Sequence, residues 1–298
     1  MTWTRSPSSL LFILVAMHLG CDAADAPVAR DIGHGPSASA DAATPEAKIQ
    51  RALVGDVEGQ WERVLWVGIA IGEGMGMDLS QLSELAEPIP PDLRTHFYDG
   101  VAHGLDWPSD DMAACVAAIQ QVPAQMQRSM WQGPIQHLVM RFDGDPDQVM
   151  PRLDAVPLAW RIEVQNGVRI GLMRVYKHRL PDAVPVILRY PTSYQAELFE
   201  EWGWWIGERI GPDASRARAL IDEVPEDLRG SAYHGFVRGV DLRGDLQGHL
   251  TLFESLDPAY RESYLGALEW KIEHWYRLEP EKRQAALLAI RQALESPD

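Results

Sequence analysis

The sequence predicts an all-α protein made of repeated helical hairpins, and three observations lead to that prediction. A frame of Pro, Leu, Arg, an aromatic residue and two glycines recurs with a period of about 33 residues. Six of the seven copies place Pro where a helix would begin, a position at which the missing N–H breaks no hydrogen bond. Alternating apolar and polar stretches, which would indicate strands, are scarce. We therefore expect seven hairpins over residues 48–298, closed by a C-terminal capping helix at 281–294.

Two copies of the frame match most closely. Residues 89–104 (IPPDLRTHFYDGVAHG) and 224–239 (VPEDLRGSAYHGFVRG) share Pro, Asp, Leu, Arg, Tyr and both glycines without a gap. The first glycine of the frame occupies seven positions, which are Gly68, Gly100, Gly133, Gly167, Gly203, Gly235 and Gly266. Successive positions are 32, 33, 34, 36, 32 and 31 residues apart, and the copy at Gly203 carries two extra residues. So narrow a range of spacings predicts one structural unit per copy.

Each unit is predicted to be a short first helix, a turn at Val-Pro or its equivalent, and a second helix that carries the glycines. A helical glycine costs about 1 kcal/mol relative to alanine. Two glycines four residues apart lie on the same helix face. We expect this face to be a groove where the backbone of another helix approaches closely.

The layout of acid or Pro, Leu-Arg and small residues at helical spacing resembles HEAT-type repeats, with residues 257–266 (DPAYRESYLG) as the closest copy. The Arg occurs in four copies only, as Arg94, Arg161, Arg229 and Arg261. The resemblance implies an α-solenoid whose surface binds another protein or a peptide. A closed α/α toroid is the alternative architecture, although its hairpins usually exceed 33 residues.

Residues 1–21 read as an export signal, with Arg5 before an apolar run at 10–17 that is too short to span a bilayer. The run followed by Leu-Gly-Cys resembles the lipobox of bacterial lipoproteins, which implies that Cys21 is lipidated. The chain would then be anchored in the cell envelope, outside the cytoplasm. Cleavage near residues 24–26 is the alternative, and would give a secreted or soluble periplasmic protein. Residues 22–47 have few large apolar side chains, which predicts a disordered tether.

The charge balance restricts the partners. The chain has 27 Lys and Arg against 43 Asp and Glu, for a formal net charge of −16. So acidic a chain is a poor candidate for binding nucleic acid or anionic lipid, which leaves the lipid anchor as the expected membrane contact. A protein or peptide partner is therefore expected. Cys115 lies in an apolar helical stretch, which predicts a buried, inert thiol.

Polar residues recur beside the glycines of the second helices, and we interpret them as a binding strip that faces water. The polar strip comprises His96, Asp99, His103, Gln132, Gln136, Asn166, His234 and Arg238. The first three share one helix face and could hold Zn²⁺. The chemistry of the strip changes from copy to copy, however, which favours a groove for an extended ligand. We expect neither a metal ion nor a cofactor. Acids at 143, 145, 147 and 154 also follow calcium-loop spacing, but Gln148 stands where that loop needs Gly.

The preferred function is therefore a non-catalytic, lipid-anchored scaffold or adaptor for a protein or peptide. The competing hypothesis is an extracytoplasmic enzyme that hydrolyses a glycan on an α/α helical array. Its sugar platform would be Trp202, Trp204 and Trp205, and its acid Glu200 or Glu201.

Overall fold

The computed structural model describes residues 44–55, 59–108, 110–211, 213–240, 246–275 and 279–295. All regular structure within these ranges is helical, which confirms the all-α prediction. The first helix begins at Pro45 and is capped by the Thr44 side chain. It therefore starts three residues before residue 48, where the repeat domain was expected to begin. The predicted signal peptide, Cys21 and the tether up to residue 43 lie outside the described residues.

The helices follow one another with short connections. In the first half they are α1 (Pro45–Leu53), α2 (Gln60–Gly72), α3 (Leu82–Ala86), α4 (Pro91–Gly104), α5 (Met112–Ile119), α6 (Ala124–Met130), α7 (Gln132–Arg141) and α8 (Pro146–Leu153). A 3-10 turn at Leu158–Trp160 then leads into α9 (Arg161–Tyr176), α10 (Leu180–Ile187), α11 (Thr192–Ile210), α12 (Ala214–Ile221), α13 (Glu226–Gly239), α14 (Leu246–Ser255), α15 (Pro258–Trp275) and α16 (Pro280–Glu295).

The helices that carry the first glycine of each copy pack against one another in chain order. We call α2, α4, α7, α9, α11, α13 and α15 the second helices. Each contacts the next along the sequence, and the shorter helices α1, α10, α12 and α14 pack on the second helix that follows them. Apolar side chains from both sets form one continuous core. The second helices are therefore the elements that position the polar strip.

Close backbone contact at the glycines joins the second helices in three of these pairs. Between α4 and α7, a Cβ at Gly133 would collide with the Ala102 carbonyl oxygen. Between α2 and α4, a Cβ added at Gly68 would collide with the Phe97 carbonyl oxygen. Between α11 and α13 the fit is reciprocal, because a Cβ at Gly203 or Gly235 would meet a backbone carbonyl of the other helix closer than 3.0 Å. These contacts confirm the predicted groove. In α9, Gly167 instead faces the side chain of Ile135.

The Arg of the frame holds three of the second helices to the end of the first helix before them. Arg229 donates from Nε to the Val224 carbonyl oxygen and from Nη2 to that of Asp222, both at 2.8 Å. Arg94 and Arg261 make the same pair of bonds, to carbonyls five and seven residues back. In two further copies the side-chain amides of Gln127 and Gln195 donate to the equivalent carbonyl oxygen, five residues back. Each bond satisfies an orphan carbonyl at a helix C-terminus.

The copy at Gly133 departs from the predicted single second helix. The helix breaks at Trp131, between α6 and α7. Pro134 explains the break, because its nitrogen cannot donate to the Met130 carbonyl and its ring clashes with that turn.

Ala substitutions at two glycines should distinguish the effect of close packing on the free energy of unfolding from the effect of helix propensity. We expect Gly235→Ala to destabilise the fold by about 1–3 kcal/mol or more, because the new Cβ would collide with the Glu200 carbonyl oxygen. Gly266→Ala is the matched control, since nothing lies within 4 Å of its Cβ position. That variant should gain about 0.5–1 kcal/mol from helix propensity. Urea unfolding followed by circular dichroism measures both, and equal effects would contradict the contact.

A second matched pair tests the Arg fastening. Arg229→Ala leaves two helix-end carbonyls without their charged donor, so we expect a loss of about 1–3 kcal/mol in the free energy of unfolding. Arg161, at the equivalent position, is exposed and makes no such bond in the part of the chain described. Arg161→Ala should therefore change stability by less than about 0.5 kcal/mol. Comparable losses for the two variants, measured by urea unfolding, would refute the role.

Candidate functional site

The polar strip lies along the second helices, but it is more deeply buried than predicted. The expectation that its side chains face water is wrong at Asp99, which is 3% exposed, and at Gln136, which is 0% exposed. The side chains of His103 and Arg238 are only 12% and 13% exposed to solvent. The cause at Gln136 is the next second helix, because Gly171 lets α9 approach the backbone there. His96, Gln132, Asn166 and His234 stay partly accessible.

At the N-terminal end of the strip, Asp99 and His103 form a buried pair. Asp99 Oδ1 lies 3.6 Å from His103 Nε2, one helical turn away. Burial raises the pKa of Asp99 to about 7, although the nearby Arg174 guanidinium opposes the rise. Burial lowers the pKa of His103 to about 3, and Arg174 and His137 lower it further. The imidazole is therefore neutral at physiological pH, while the carboxyl titrates near neutrality.

At the C-terminal end, oppositely charged side chains pair across neighbouring helices. Arg169 of α9 lies 3.4 Å from Glu201 of α11, and both are buried. Glu200 of α11 pairs with Arg238 of α13, whose guanidinium also stands 4.9 Å from the centre of the Trp270 ring. Burial raises the pKa of Glu201, and the two arginines oppose the rise. These side chains form an ion-pair network between second helices, and Arg238 connects the network to the strip.

Several polar residues of this region were not singled out from the sequence. His137 occupies the second-glycine position of its copy, which was a usable signal. Arg169 and Arg174 lie off the repeated frame and had no such signal. Lys271 is buried, and its Nζ donates to the carbonyl oxygens of Val237, Arg238 and Val240 at the C-terminal end of α13. A cation there compensates the negative end of the helix dipole.

The residues of the glycan-hydrolase hypothesis do not form an open cleft. Trp202, Trp204 and Trp205 are buried, and Trp202 Nε1 donates to the Leu180 carbonyl oxygen at 2.8 Å. The sugar platform is therefore wrong, because all three rings belong to the core. The proposed acids, Glu200 and Glu201, are paired with arginines.

The sites considered for metal ions have other contacts. No group of three or more metal-ligating side chains occurs among the residues described. In the acidic loop, Asp145 and Asp147 both pair with Arg189, and the Asp143 carbonyl accepts a hydrogen bond from the Tyr176 hydroxyl at 3.0 Å. Arg189 therefore engages two of the four acids of the calcium-like spacing.

Cys115 is fully buried, as expected. Burial and the charge of Asp111 raise the pKa of its thiol to about 12, so the reactive thiolate is scarce at neutral pH. In the described ranges no helix combines the length and the apolar character needed to cross a membrane.

Comparisons of this chain with known protein families, with curated proteins and with solved structures gave no match. The case for a function therefore comes from the geometry described above.

The Asp99 carboxyl should make stability depend on pH in a defined direction. Its folded pKa of about 7 exceeds the ordinary value of 3.8, so its contribution to the free energy of unfolding falls as pH rises from about 4 to about 7. Asp99→Asn removes that loss. We expect the difference in the free energy of unfolding between the variant and wild type to rise by up to a few kcal/mol across this window and to stay constant above it.

Urea unfolding at half-unit steps from pH 4.5 to 8 measures the difference, with the exposed Asp154→Asn as control. His103 has the opposite dependence, since its lowered pKa costs stability as pH falls below about 6.5, and both proteins share it. A constant difference between Asp99→Asn and wild type would contradict the prediction.

Proposed function

We propose that this protein is a non-catalytic α-solenoid that holds a protein or peptide along its second helices. The observation that supports this proposal most directly is that the second helices contact one another in chain order, with partly accessible polar groups at the repeated position. The recurring Arg and Gln bonds to the preceding first helix support a common hairpin unit. Stacked units of this kind make long continuous surfaces.

Two accessible residues of the strip have side-chain donors and acceptors that the fold does not use. Gln132 of α7 and Asn166 of α9 are half-buried, and their side-chain amides make no hydrogen bond within the described residues. An amide offers both a donor and an acceptor, which matches the N–H and C=O of a peptide backbone. His234 continues the series on α13 with about a third of its side chain exposed. Such a series suits an extended ligand better than a compact one.

A binding role is favoured over catalysis because the carboxylates on and beside the strip are already engaged. Glu201 and Glu200 pair with Arg169 and Arg238, and Asp99 lies buried beside His103. General acid catalysis needs a carboxyl that reaches the substrate. The scaffold is further proposed to be anchored at the bacterial cell envelope, outside the cytoplasm, through a lipid on Cys21. That step is supported by the lipobox-like sequence alone.

Bulky substitutions on the strip test the proposal. Peptides would first be selected from a displayed random library on the purified protein, and their affinities measured by fluorescence anisotropy. Gln132→Trp and Asn166→Trp should each weaken binding about tenfold or more, because the indole would fill the groove. Gln148→Trp is the matched control, since Gln148 is exposed on α8, a first helix.

The far-UV circular dichroism and unfolding midpoints of the three variants should match those of wild type. Equal affinities in all variants would place the ligand elsewhere. Failure to select any peptide would argue against a peptide-binding scaffold.

A further inference from the structure

Three second helices bring a group of polar side chains together at the N-terminal half of the strip. Arg174 lies in the last turn of α9, three residues after Gly171, so the two share a helix face. A Cβ at Gly171 would lie 3.1 Å from the Cα of Gln136, which places Arg174 one turn from Gln136 of α7. Asp99 and His103 of α4 and His137 of α7 interact electrostatically with the same guanidinium.

Two members of this group make no side-chain hydrogen bond within the described residues. Gln136 is fully buried, yet neither its Nε2 nor its Oε1 has a hydrogen-bond partner. Leaving such a group unpaired costs about 1–3 kcal/mol. Arg174 is half-buried, and within the described residues it makes no hydrogen bond and has no carboxylate within 4.0 Å. Arg189 and Arg238, by contrast, are held by carboxylates.

The chemistry of Arg174 and its neighbours is that of an anion receptor. The Arg174 guanidinium is partly accessible and presents a fork of N–H donors. The imidazoles of His103 and His137 have lowered pKa values, so they add polarity without adding positive charge. Asp99 is the acid nearest the guanidinium, but its carboxyl lies against His103. A planar carboxylate accepts two parallel hydrogen bonds from a guanidinium.

We propose that Arg174 binds a carboxylate group of the ligand held on the strip. The inference rests on the proposed function, because the group lies on the strip, and it deepens that function by naming the chemistry recognised. The carboxylate belongs to the C-terminus of a peptide or to an acidic side chain within it.

Three synthetic peptides distinguish these sources and test the site. Each is an N-acetylated Gly-Ser hexapeptide: one ends in a free carboxylate, one ends in an amide, and one ends in an amide but contains one Glu. Binding to the purified protein is measured by saturation-transfer NMR and by titration. We expect the amidated neutral peptide to bind at least about tenfold more weakly than the better of the two acids, as for loss of a charged hydrogen bond. The stronger acid identifies the source.

Substitutions of Arg174 supply the second readout. Arg174→Gln should abolish the preference for acid over amide, and Arg174→Lys should keep part of it, because lysine retains the charge without the fork. Arg161→Gln is the matched control, an exposed arginine on the same helix that makes no hydrogen bond in the described part of the chain. It should leave the preference unchanged.

The proposal is overturned if the three peptides bind alike, a result that needs no variant and so does not depend on folding. It is also overturned if a folded Arg174→Gln protein keeps the preference. Library-selected peptides that depend on Gln132 and Asn166 but show no carboxylate preference would leave the strip standing and remove this site. Loss of both kinds of binding would remove the strip as well.

Discussion

Backbone contact between the second helices at their glycines is the constraint on which the rest of this fold depends. In α11 and α13 the two glycines of each helix lie against carbonyl oxygens of the other, so no side chain fits between the backbones. At this interface, and at that between α2 and α4, four positions are thereby restricted to glycine. The restriction accounts for the repeated pair four residues apart, because positions separated by one turn form a single ridge-free face. The helix propensity given up at these glycines is offset by close packing of the two helices.

That close approach also determines whether the neighbouring polar side chains are exposed or buried. A side chain beside the contact is buried by the next helix, as Gln136 is by α9. The charged members then need partners, and the structure provides them across helices, as with Arg169 and Glu201 or Arg238 and Glu200. Breaking one such pair leaves a buried charge uncompensated, which is far more costly than losing a surface pair. These pairs accordingly fix which helix faces which, in addition to the apolar core.

The sequence predicted the parts of the structure that follow from local chemistry. The turns at Val-Pro, the start of α13 after Pro225 and the groove at Gly203 and Gly235 all depend on backbone properties of Pro and Gly. The break at Trp131 was equally local, since Pro134 was visible, but the repeated frame argued for one helix. Burial of the strip was not predictable in this way. Helical spacing places Asp99 and His103 on one face, and only the position of the neighbouring helices determines whether that face meets water.

The same reasoning explains which site residues the sequence missed. Arg174 and Lys271 carry no repeat signature, because each acts on a neighbouring helix and not on its own unit. Lys271 finds three carbonyl oxygens at the end of α13 and is thereby satisfied. Arg174 reaches a partly accessible place on the strip without a hydrogen-bond partner in the described residues. A fold that supplies carbonyl or carboxylate partners for Lys271 and Arg238 and leaves Arg174 without one keeps a guanidinium available where a ligand can reach it. Since a charge-assisted hydrogen bond is stronger than a neutral one, a carboxylate that pairs with Arg174 gains affinity that a neutral group does not.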